Sequence, residues 1–125
     1  MKKQLFTTIA ALTLSVSIYA QITEKVYYDY AKTKIKFSFQ TNANHIKNGA
    51  YKAFSKTGSV IEEGTYKMGK KTGTWKQYDD YGKPYSIMNY VDDKIHGVYK
   101  QWCFEDGKTV SYLCGDYIYN MGKEE

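Results

Sequence analysis

The sequence predicts an all-β fold, an elongated antiparallel meander of about four β-hairpin repeats of 24 residues each. The phrases GAYKAF, GTWKQY and GVYKQW recur with a fixed spacing of 24 residues, and each opens on a glycine: Gly49, Gly73 and Gly97. Beyond residue 20, Tyr, Val, Ile and Thr are abundant, and Leu113 is the only leucine. Because such a composition favours strands over helices, we expect hairpins.

The first twenty residues are predicted to lie outside this domain. Lys2 and Lys3 form a basic start, an apolar run follows from Leu5 to Ile18, and Ala20 places a small residue before a cleavage point. The run is too short for a spanning helix, and the pattern is typical of a secretory signal peptide. We therefore expect residues 21–125 to be the mature, periplasmic or extracellular domain, with an uncleaved N-terminal anchor as the alternative.

Residues 25–48 are predicted to form a degenerate first repeat. Counting back 24 residues from Gly49 reaches Lys25, where KVYYDY keeps the aromatics Tyr27 and Tyr30 but lacks the glycine. KIKFSFQT alternates like a strand, and NANHIKN is turn-like. A terminal repeat is expected to differ from the others, because it must cap the stack.

Residues 49–72 and 73–96 contain the clearest hairpins. In the second of them, GTWKQY and PYSIMNY are predicted strands, and DDYGK between them is a predicted turn. A second glycine, which permits a positive φ in this turn, recurs in each repeat as Gly58, Gly82 and Gly107. The last repeat, residues 97–125, is longer than the others.

The aromatic residues form two columns across the repeats. The first column is Tyr27, Tyr51, Trp75 and Tyr99, and the second is Tyr30, Phe54, Tyr78 and Trp102. We expect these rings to stack between neighbouring hairpins. A spacing of three places the columns on opposite faces of a flat strand. Either both faces are partly covered, or a bulge near the opening glycine redirects one ring.

The pattern G-x-[WY]-x-x-[YFW], with a turn glycine and a later Y-x-x-[GD]-K, resembles the bacterial variant of the MORN repeat. This family carries the label "antitoxin component" in some bacteria. The resemblance covers about three repeats, and the departures are Lys25 at a glycine position and the longer hairpin after Gly107. It implies an elongated sheet of hairpins and an adaptor or interaction role, and it implies no particular chemistry.

The charged residues do not indicate nucleic-acid binding. Without Lys2 and Lys3 the formal net charge falls from +5 to +3, and every positive charge is a lysine. Arginine is the residue best suited to phosphate and base-edge contacts, so a mildly basic chain without arginine is a poor nucleic-acid binder.

Neither a metal site nor a catalytic site is predicted. His45 and His96 are not at equivalent repeat positions, and they lack the three or four close ligands of a zinc site. Calcium needs six to eight oxygens, so the recurring acidic pairs are interpreted as turn residues. These pairs are Asp79-Asp80, Asp92-Asp93 and Glu105-Asp106. We expect no enzyme activity and no cofactor.

Cys103 and Cys114 lie in the last repeat. If Glu105, Asp106 and Gly107 form the loop, Cys103 faces Thr109, and Cys114 lies five residues further along its strand. That separation exceeds what a disulfide tolerates, so we predict two free cysteines. A different register in the longer hairpin would allow a bridge.

These observations predict an exported, non-enzymatic repeat protein that presents tyrosines to a protein partner. Trp75 and Tyr99 are expected to be structural, and Tyr85 and Tyr112 are expected to be exposed and available for binding. An antitoxin or immunity-like role is one version, although export separates the protein from most intracellular toxins. The alternative is association with an anionic membrane or cell-wall surface through lysines and tyrosines.

Overall fold

The computed structural model describes residues 21–104, 111–120 and 123–124. The predicted signal peptide, Gly107 and the pair Glu105-Asp106 lie outside the described residues. The strands are β1 (Ile22–Tyr27), β2 (Ile35–Thr41), β3 (Lys47–Phe54), β4 (Val60–Lys67), β5 (Lys70–Tyr78), β6 (Pro84–Val91), β7 (Lys94–Phe104), β8 (Ser111–Asn120) and β9 (Lys123–Glu124).

The strands form one antiparallel sheet in which the spatial order follows the chain order from β1 to β9. The four hairpins are β1–β2, β3–β4, β5–β6 and β7–β8, and each of them pairs with the next. The predicted all-β meander of hairpin repeats is therefore confirmed. Among the described residues, no helix has the length and apolar character needed to cross a membrane.

The loops of the second and third hairpins repeat the same hydrogen bonds. The Ser55 backbone N–H donates to the Ser59 carbonyl at 2.8 Å, and the Asp79 N–H donates to the Lys83 carbonyl at 2.8 Å. Gly58 (φ 92°) and Gly82 (φ 82°) adopt the positive φ predicted for them. The 24-residue period of the turn glycines therefore reflects a repeated loop conformation.

Two of the connections between hairpins are two-residue turns. Met68 and Gly69 join β4 to β5 with φ of 48° and 83°, and Asp92 and Asp93 join β6 to β7 with φ of 49° and 68°. Two consecutive positive φ values are the mark of the type I′ turn, which suits the twist of neighbouring strands. The acidic pairs Asp79-Asp80 and Asp92-Asp93 lie in turns, as predicted.

The opening glycines lie in a repeated bulge. Between β4 and β5 the register jumps from Glu63↔Lys76 to Thr65↔Thr72, so Gly64 faces a three-residue segment that begins with Gly73. The same jump occurs opposite Gly49 and Gly97. The three opening glycines have φ of 123°, 66° and 84°. A side chain at this φ would be strained, which explains why glycine recurs every 24 residues.

A second irregularity occurs once in each hairpin. In the third hairpin the register passes from Gln77↔Ser86 to Tyr78↔Pro84, which leaves Tyr85 as an extra residue. The extra residues in the four hairpins are Lys36, Ile61, Tyr85 and Cys114. Each hairpin therefore bends at an equivalent point near its loop.

The sheet has two different faces. The core face carries the buried cluster Tyr51, Ala53, Trp75 and Met88, with Phe37, Phe39, Ile61, Tyr66, Tyr90, Ile95 and Tyr99 packed against it. The opposite face, called here the lysine face, carries a row in direct register that runs through Lys25, Ser38, Lys52, Glu63, Lys76, Ile87, Lys100 and Asp116. Successive residues of a strand point to opposite faces, which separates the two sets.

Candidate interaction surfaces

The first aromatic column forms the centre of the core face. The Trp75 ring is 1 % exposed, and its centroid lies 5.4 Å from that of Tyr51 and 5.1 Å from that of Tyr66. Its indole N–H donates to the Thr65 carbonyl at 3.2 Å. In the last hairpin the Tyr99 ring stacks on Tyr117 at 5.7 Å. The contact of Trp75 with Tyr51 joins neighbouring hairpins, as predicted. Tyr99 and Tyr117 belong to the same hairpin, so the predicted stacking of Tyr99 on a neighbouring hairpin is not what this contact shows.

Gly64 allows the Trp75 ring to lie against the sheet. A Cβ atom at Gly64 would approach the indole carbons to between 2.2 and 2.6 Å, which is closer than any real contact of this kind. Gly64 therefore has a packing role that differs from the positive-φ role of the opening glycines.

Two lysines lie over the aromatic cluster. The Lys47 ammonium is 5.2 Å from the Tyr51 ring centroid and 4.9 Å from that of Tyr66. The Lys71 ammonium is 4.1 Å from the Trp75 centroid, and it also lies 3.4 Å from a carboxylate oxygen of Glu62. Both lysines stand two residues before an opening glycine. The repeat therefore builds cation–π contacts into the core face.

The environment of this face alters tyrosine ionisation. Burial, with the nearby Glu62 carboxylate as a second cause, raises the pKa of Tyr51 to about 12. Burial followed by Glu62 also raises the pKa of Tyr66 and Tyr90. Desolvation disfavours the phenolate, and a neighbouring negative charge acts in the same direction. These tyrosines are packing groups that stay neutral, and they are poorly suited to act as bases.

The first hairpin ends the aromatic column with a polar cluster. Glu24, not Tyr27, is the β1 residue equivalent to Tyr51. Each of the two lies two residues before the point where the register of its hairpin shifts, which is after Val26 in β1 and after Ala53 in β3. The Glu24 carboxylate accepts a hydrogen bond from Thr41 at 3.1 Å and lies 2.8 Å from Nδ1 of His45. These two hydrogen bonds, that of His45 first, lower the pKa of Glu24. The predicted placement of Tyr27 in the first column is wrong, because the first hairpin loop is longer than the others.

The second column lies on the lysine face. The Tyr78 hydroxyl donates to a Glu63 carboxylate oxygen at 2.7 Å, and Lys52 lies 3.8 Å from the other Glu63 oxygen. Burial, together with this hydrogen bond, raises the pKa of Tyr78 to about 12. Phe54, Tyr78 and Trp102 are all half-buried. The sequence left two arrangements open, partial coverage of both faces or a bulge that redirects one ring. The structure shows both faces partly covered, and a bulge at the opening glycines is present as well.

Tyr85, one of the two tyrosines predicted to bind a partner, is not among the most exposed tyrosines. Tyr85 is half-buried as the extra residue of its bulge, and the side chain of Tyr112 lies outside the described residues. Tyr30 and Tyr81 are instead 108 % and 89 % exposed, and both lie in hairpin loops. Tyr30 does not belong to the second column, where Tyr27 takes its place by pairing with Ile35. The aromatic spacing did not identify these loop positions.

Three hairpin loops lie side by side at one end of the sheet, because every hairpin turns at that end. This loop edge consists of residues 28–34, 55–59 and 79–83. The Asp29 carboxylate accepts hydrogen bonds from the backbone of Thr33 and Lys34, and the Asp79 carboxylate accepts them from that of Tyr81 and Lys83. Such bonds fix a turn in one conformation.

A cleft of about 700 Å³ lies between the loops, with Tyr28, Lys56 and Tyr81 among its lining residues. Its size lies within the range of ligand sites, and Tyr28 is held by a hydrogen bond from its hydroxyl to the Phe54 carbonyl at 2.8 Å. The loop edge therefore combines an exposed ring with a preformed concave surface.

Cys103 and Cys114 form a disulfide bond, with their Cα atoms 5.6 Å apart. The prediction of two free cysteines is wrong. Cys103 pairs with Tyr112 instead of Thr109, because the connection between β7 and β8 spans residues 105–110. The bulge at Cys114 supplies the remaining shift that brings the two sulfur atoms together.

The candidate metal ligands have other contacts. His45 contacts Glu24, and an Asp93 carboxylate oxygen accepts a hydrogen bond from the Lys71 N–H at 2.6 Å. Within residues 21–104 and 111–120, no group of three or more His, Cys, Asp or Glu side chains is placed to hold a metal ion.

No family model, curated protein or solved structure matches the chain. The resemblance to the bacterial MORN-repeat variant therefore stays a prediction that rests on the repeat residues alone.

Proposed function

We propose that the protein is an exported, non-enzymatic repeat protein that binds a protein partner through its loop edge. The observation that carries this proposal is the exposure of Tyr30 and Tyr81, at 108 % and 89 %. Both lie on loops that the carboxylates of Asp29 and Asp79 hold in place through hydrogen bonds to the backbone. Exposed tyrosines are favoured anchors of protein interfaces. A fixed loop loses little conformational entropy on binding, which increases affinity.

The partner is expected to bind the cleft beside Tyr81. An immunity-like role, in which the partner is a toxin of the same compartment, is the specific version that the repeat resemblance implies. The interaction is expected to resist salt, because buried rings dominate it and the loop edge carries charges of both signs, such as Lys56 and Asp80.

Site-specific photocrosslinking tests this proposal. A photoreactive phenylalanine at position 81 of the exported protein should capture one partner from the native compartment, and the capture should persist in 0.5 M salt. The matched control carries the same group at Met68, which is 60 % exposed at the opposite end of the sheet. Replacing Tyr30 and Tyr81 with serine should abolish a pull-down of this partner without lowering the melting temperature. Equal capture from positions 68 and 81 would contradict the proposal.

A second candidate is association with an anionic membrane or cell-wall surface. The observation that favours it is the row of lysines on the lysine face, where Lys25, Lys52 and Lys76 are exposed. This function would use a different surface from the loop edge, so the two candidates can be tested separately.

A further inference from the structure

The four hairpins share one feature that the core face does not explain. A lysine followed two residues later by an aromatic occurs in KVY (25–27), KAF (52–54), KQY (76–78) and KQW (100–102). The pairing register places these tripeptides at equivalent positions, each ending beside the bulge of its hairpin. The first hairpin keeps the pair, although it has Glu24 in place of the core aromatic. The pair is therefore retained in a strand that lacks the core aromatic.

The repeated pairs form two parallel rows on the lysine face. Lys25, Lys52, Lys76 and Lys100 lie in one line across the sheet, on every second strand. Neighbouring strands are about 4.8 Å apart, so successive lysines are about 9–10 Å apart. The aromatic residues lie two positions further along the same strands, on the same face and with the same spacing. The face thus presents a cation and a ring at a regular interval.

The charges of this row are available to a ligand. Lys52 lies 3.8 Å from Glu63 and Lys100 lies 4.0 Å from Asp116, but the two lysine side chains are 51 % and 43 % exposed. Ion pairs of this kind contribute little, because water screens them. In the described part of the chain, no carboxylate lies within ion-pair distance of Lys76. Four lysines against two carboxylates give the row a net positive charge.

We infer that the lysine face binds an extended acidic polysaccharide. In a β-1,4-linked polyuronate, successive sugars alternate in orientation, so carboxylates on one side of the chain recur at the length of a disaccharide. That length corresponds to the spacing of the lysines. A sugar ring also offers an apolar C–H surface to an aromatic side chain, and the parallel row of rings is placed to receive it. This inference rests on the second candidate function and names its ligand.

Oligosaccharides of defined length test the inference with the full chain. β-1,4-linked mannuronate oligomers of two, four and eight sugars should bind with increasing affinity, and the octamer should bind at least tenfold more tightly than the dimer, because it can contact several lysines at once. Cello-oligosaccharides have the same linkage without the carboxylates, and they should bind at least tenfold more weakly than mannuronates of equal length. Calorimetry in 0.1 M salt measures both series.

Two triple variants separate the row from general charge. Lys52→Gln, Lys76→Gln and Lys100→Gln together should weaken octamer binding at least tenfold. Lys67→Gln, Lys70→Gln and Lys94→Gln together remove the same charge from exposed positions near the turns, and they should change it less than threefold. Circular dichroism confirms that both variants fold.

Several outcomes would overturn the inference. An equal loss of octamer affinity in the two triple variants would show that only the net charge of the protein matters. An affinity that does not depend on oligomer length would show that the ligand does not bind along the row of lysines. Stronger binding to phosphatidylglycerol vesicles than to the mannuronate octamer would assign the face to a membrane instead. That last result would leave surface association intact as a function, so the two failures are distinguishable.

Discussion

At the scale of single residues, Trp75 is the position on which the core face depends most. Its ring contacts Tyr51, Tyr66 and Tyr90, which belong to three different strands. Replacing Trp75 with alanine is expected to cost about 3–5 kcal/mol, the usual penalty for truncating a buried large aromatic. A domain of this size has little stability in reserve, so the variant should be largely unfolded by circular dichroism at 37 °C.

Tyr85→Ala is the matched comparison. The Tyr85 ring is half-buried at the bulge and lines a shallow cleft with Phe37 and Tyr78, so its loss should cost about 1 kcal/mol. A folded Trp75→Ala protein beside an unfolded Tyr85→Ala protein would contradict the central role of Trp75 in the core face.

Gly64→Ala tests the same ring from the side of the backbone. The added methyl group would meet the Trp75 indole at 2.2–2.6 Å, so the ring must move. We expect a loss of about 1–3 kcal/mol in chemical denaturation, the typical cost of overpacking. Thr65→Ala is the control, because the Thr65 side chain is exposed and its change should be nearly neutral. Equal effects of the two changes would contradict the packing role of Gly64.

Stability is expected to fall above pH 10 because of the buried tyrosines. The pKa of Tyr51 is about 12 in the folded protein, against 10 for a free tyrosine. The folded state therefore resists deprotonation, and the contribution of Tyr51 is complete below pH 10 and is lost as the pH rises towards 12. Urea denaturation at pH 9 and pH 11 measures this loss. Tyr51→Phe should reduce the difference between the two pH values, whereas Tyr81→Phe, at an exposed loop position, should leave it unchanged.

At the scale of elements, the last hairpin depends on its disulfide. Cys103 and Cys114 connect β7 to β8, the two strands of the last hairpin. Reduction is expected to destabilise the protein by about 2–4 kcal/mol, the common range for such a bond. Thermal melts with and without dithiothreitol measure the change, and intact mass should show that the oxidised protein has no free thiol.

Hydrogen exchange provides the spatial control for this prediction. Reduction should increase amide exchange in β7 and β8 while β3 to β6 stay protected, since each strand pairs only with its chain neighbours. The double variant Cys103→Ser, Cys114→Ser should not respond to dithiothreitol. Free thiols in the native protein, or uniform loss of protection, would contradict the assignment of the bridge.

The hairpins could be predicted from the sequence because their determinants are local. The glycine at each bulge and the turn residues at each loop act within a few residues, so a period of 24 in the sequence becomes a period in the sheet. The first hairpin was misaligned by three positions, because its loop and the following turn differ in length from the later ones. The disulfide was missed for the same reason, since the register of a hairpin depends on where its loop begins and ends.

Exposure was harder to predict than pairing. Tyr30 and Tyr81 lie in loops, where no alternation reveals which way a ring points. Residues of the regular strands could be assigned to one face or the other, because successive side chains of a strand alternate between the faces. The half-burial of Tyr85, in contrast, depends on a bulge that the sequence does not mark. Candidate sites on regular strands are therefore more predictable than those on loops.

At the scale of the whole molecule, export is the prediction on which the proposed function depends. N-terminal sequencing of the exported protein should begin at Gln21, or show a blocked terminus from cyclisation of that glutamine. Replacing Ala20 with a bulky residue should hinder cleavage and retain the precursor, whereas the same change at Thr8 should not. A protein that keeps Met1 and is found in the cytoplasm would contradict export and return attention to a cytoplasmic antitoxin.

Sequential strand order also affects how this polypeptide acquires its structure. Each strand pairs with the one before it and the one after it, so no pairing waits for a distant part of the chain. Contacts this local close with little entropy loss and form quickly. A chain that crosses a membrane N-terminus first could therefore add strands to the growing sheet in the order in which they arrive. Each new aromatic ring would find its neighbour already in place, and the oxidation of Cys103 and Cys114 would come last.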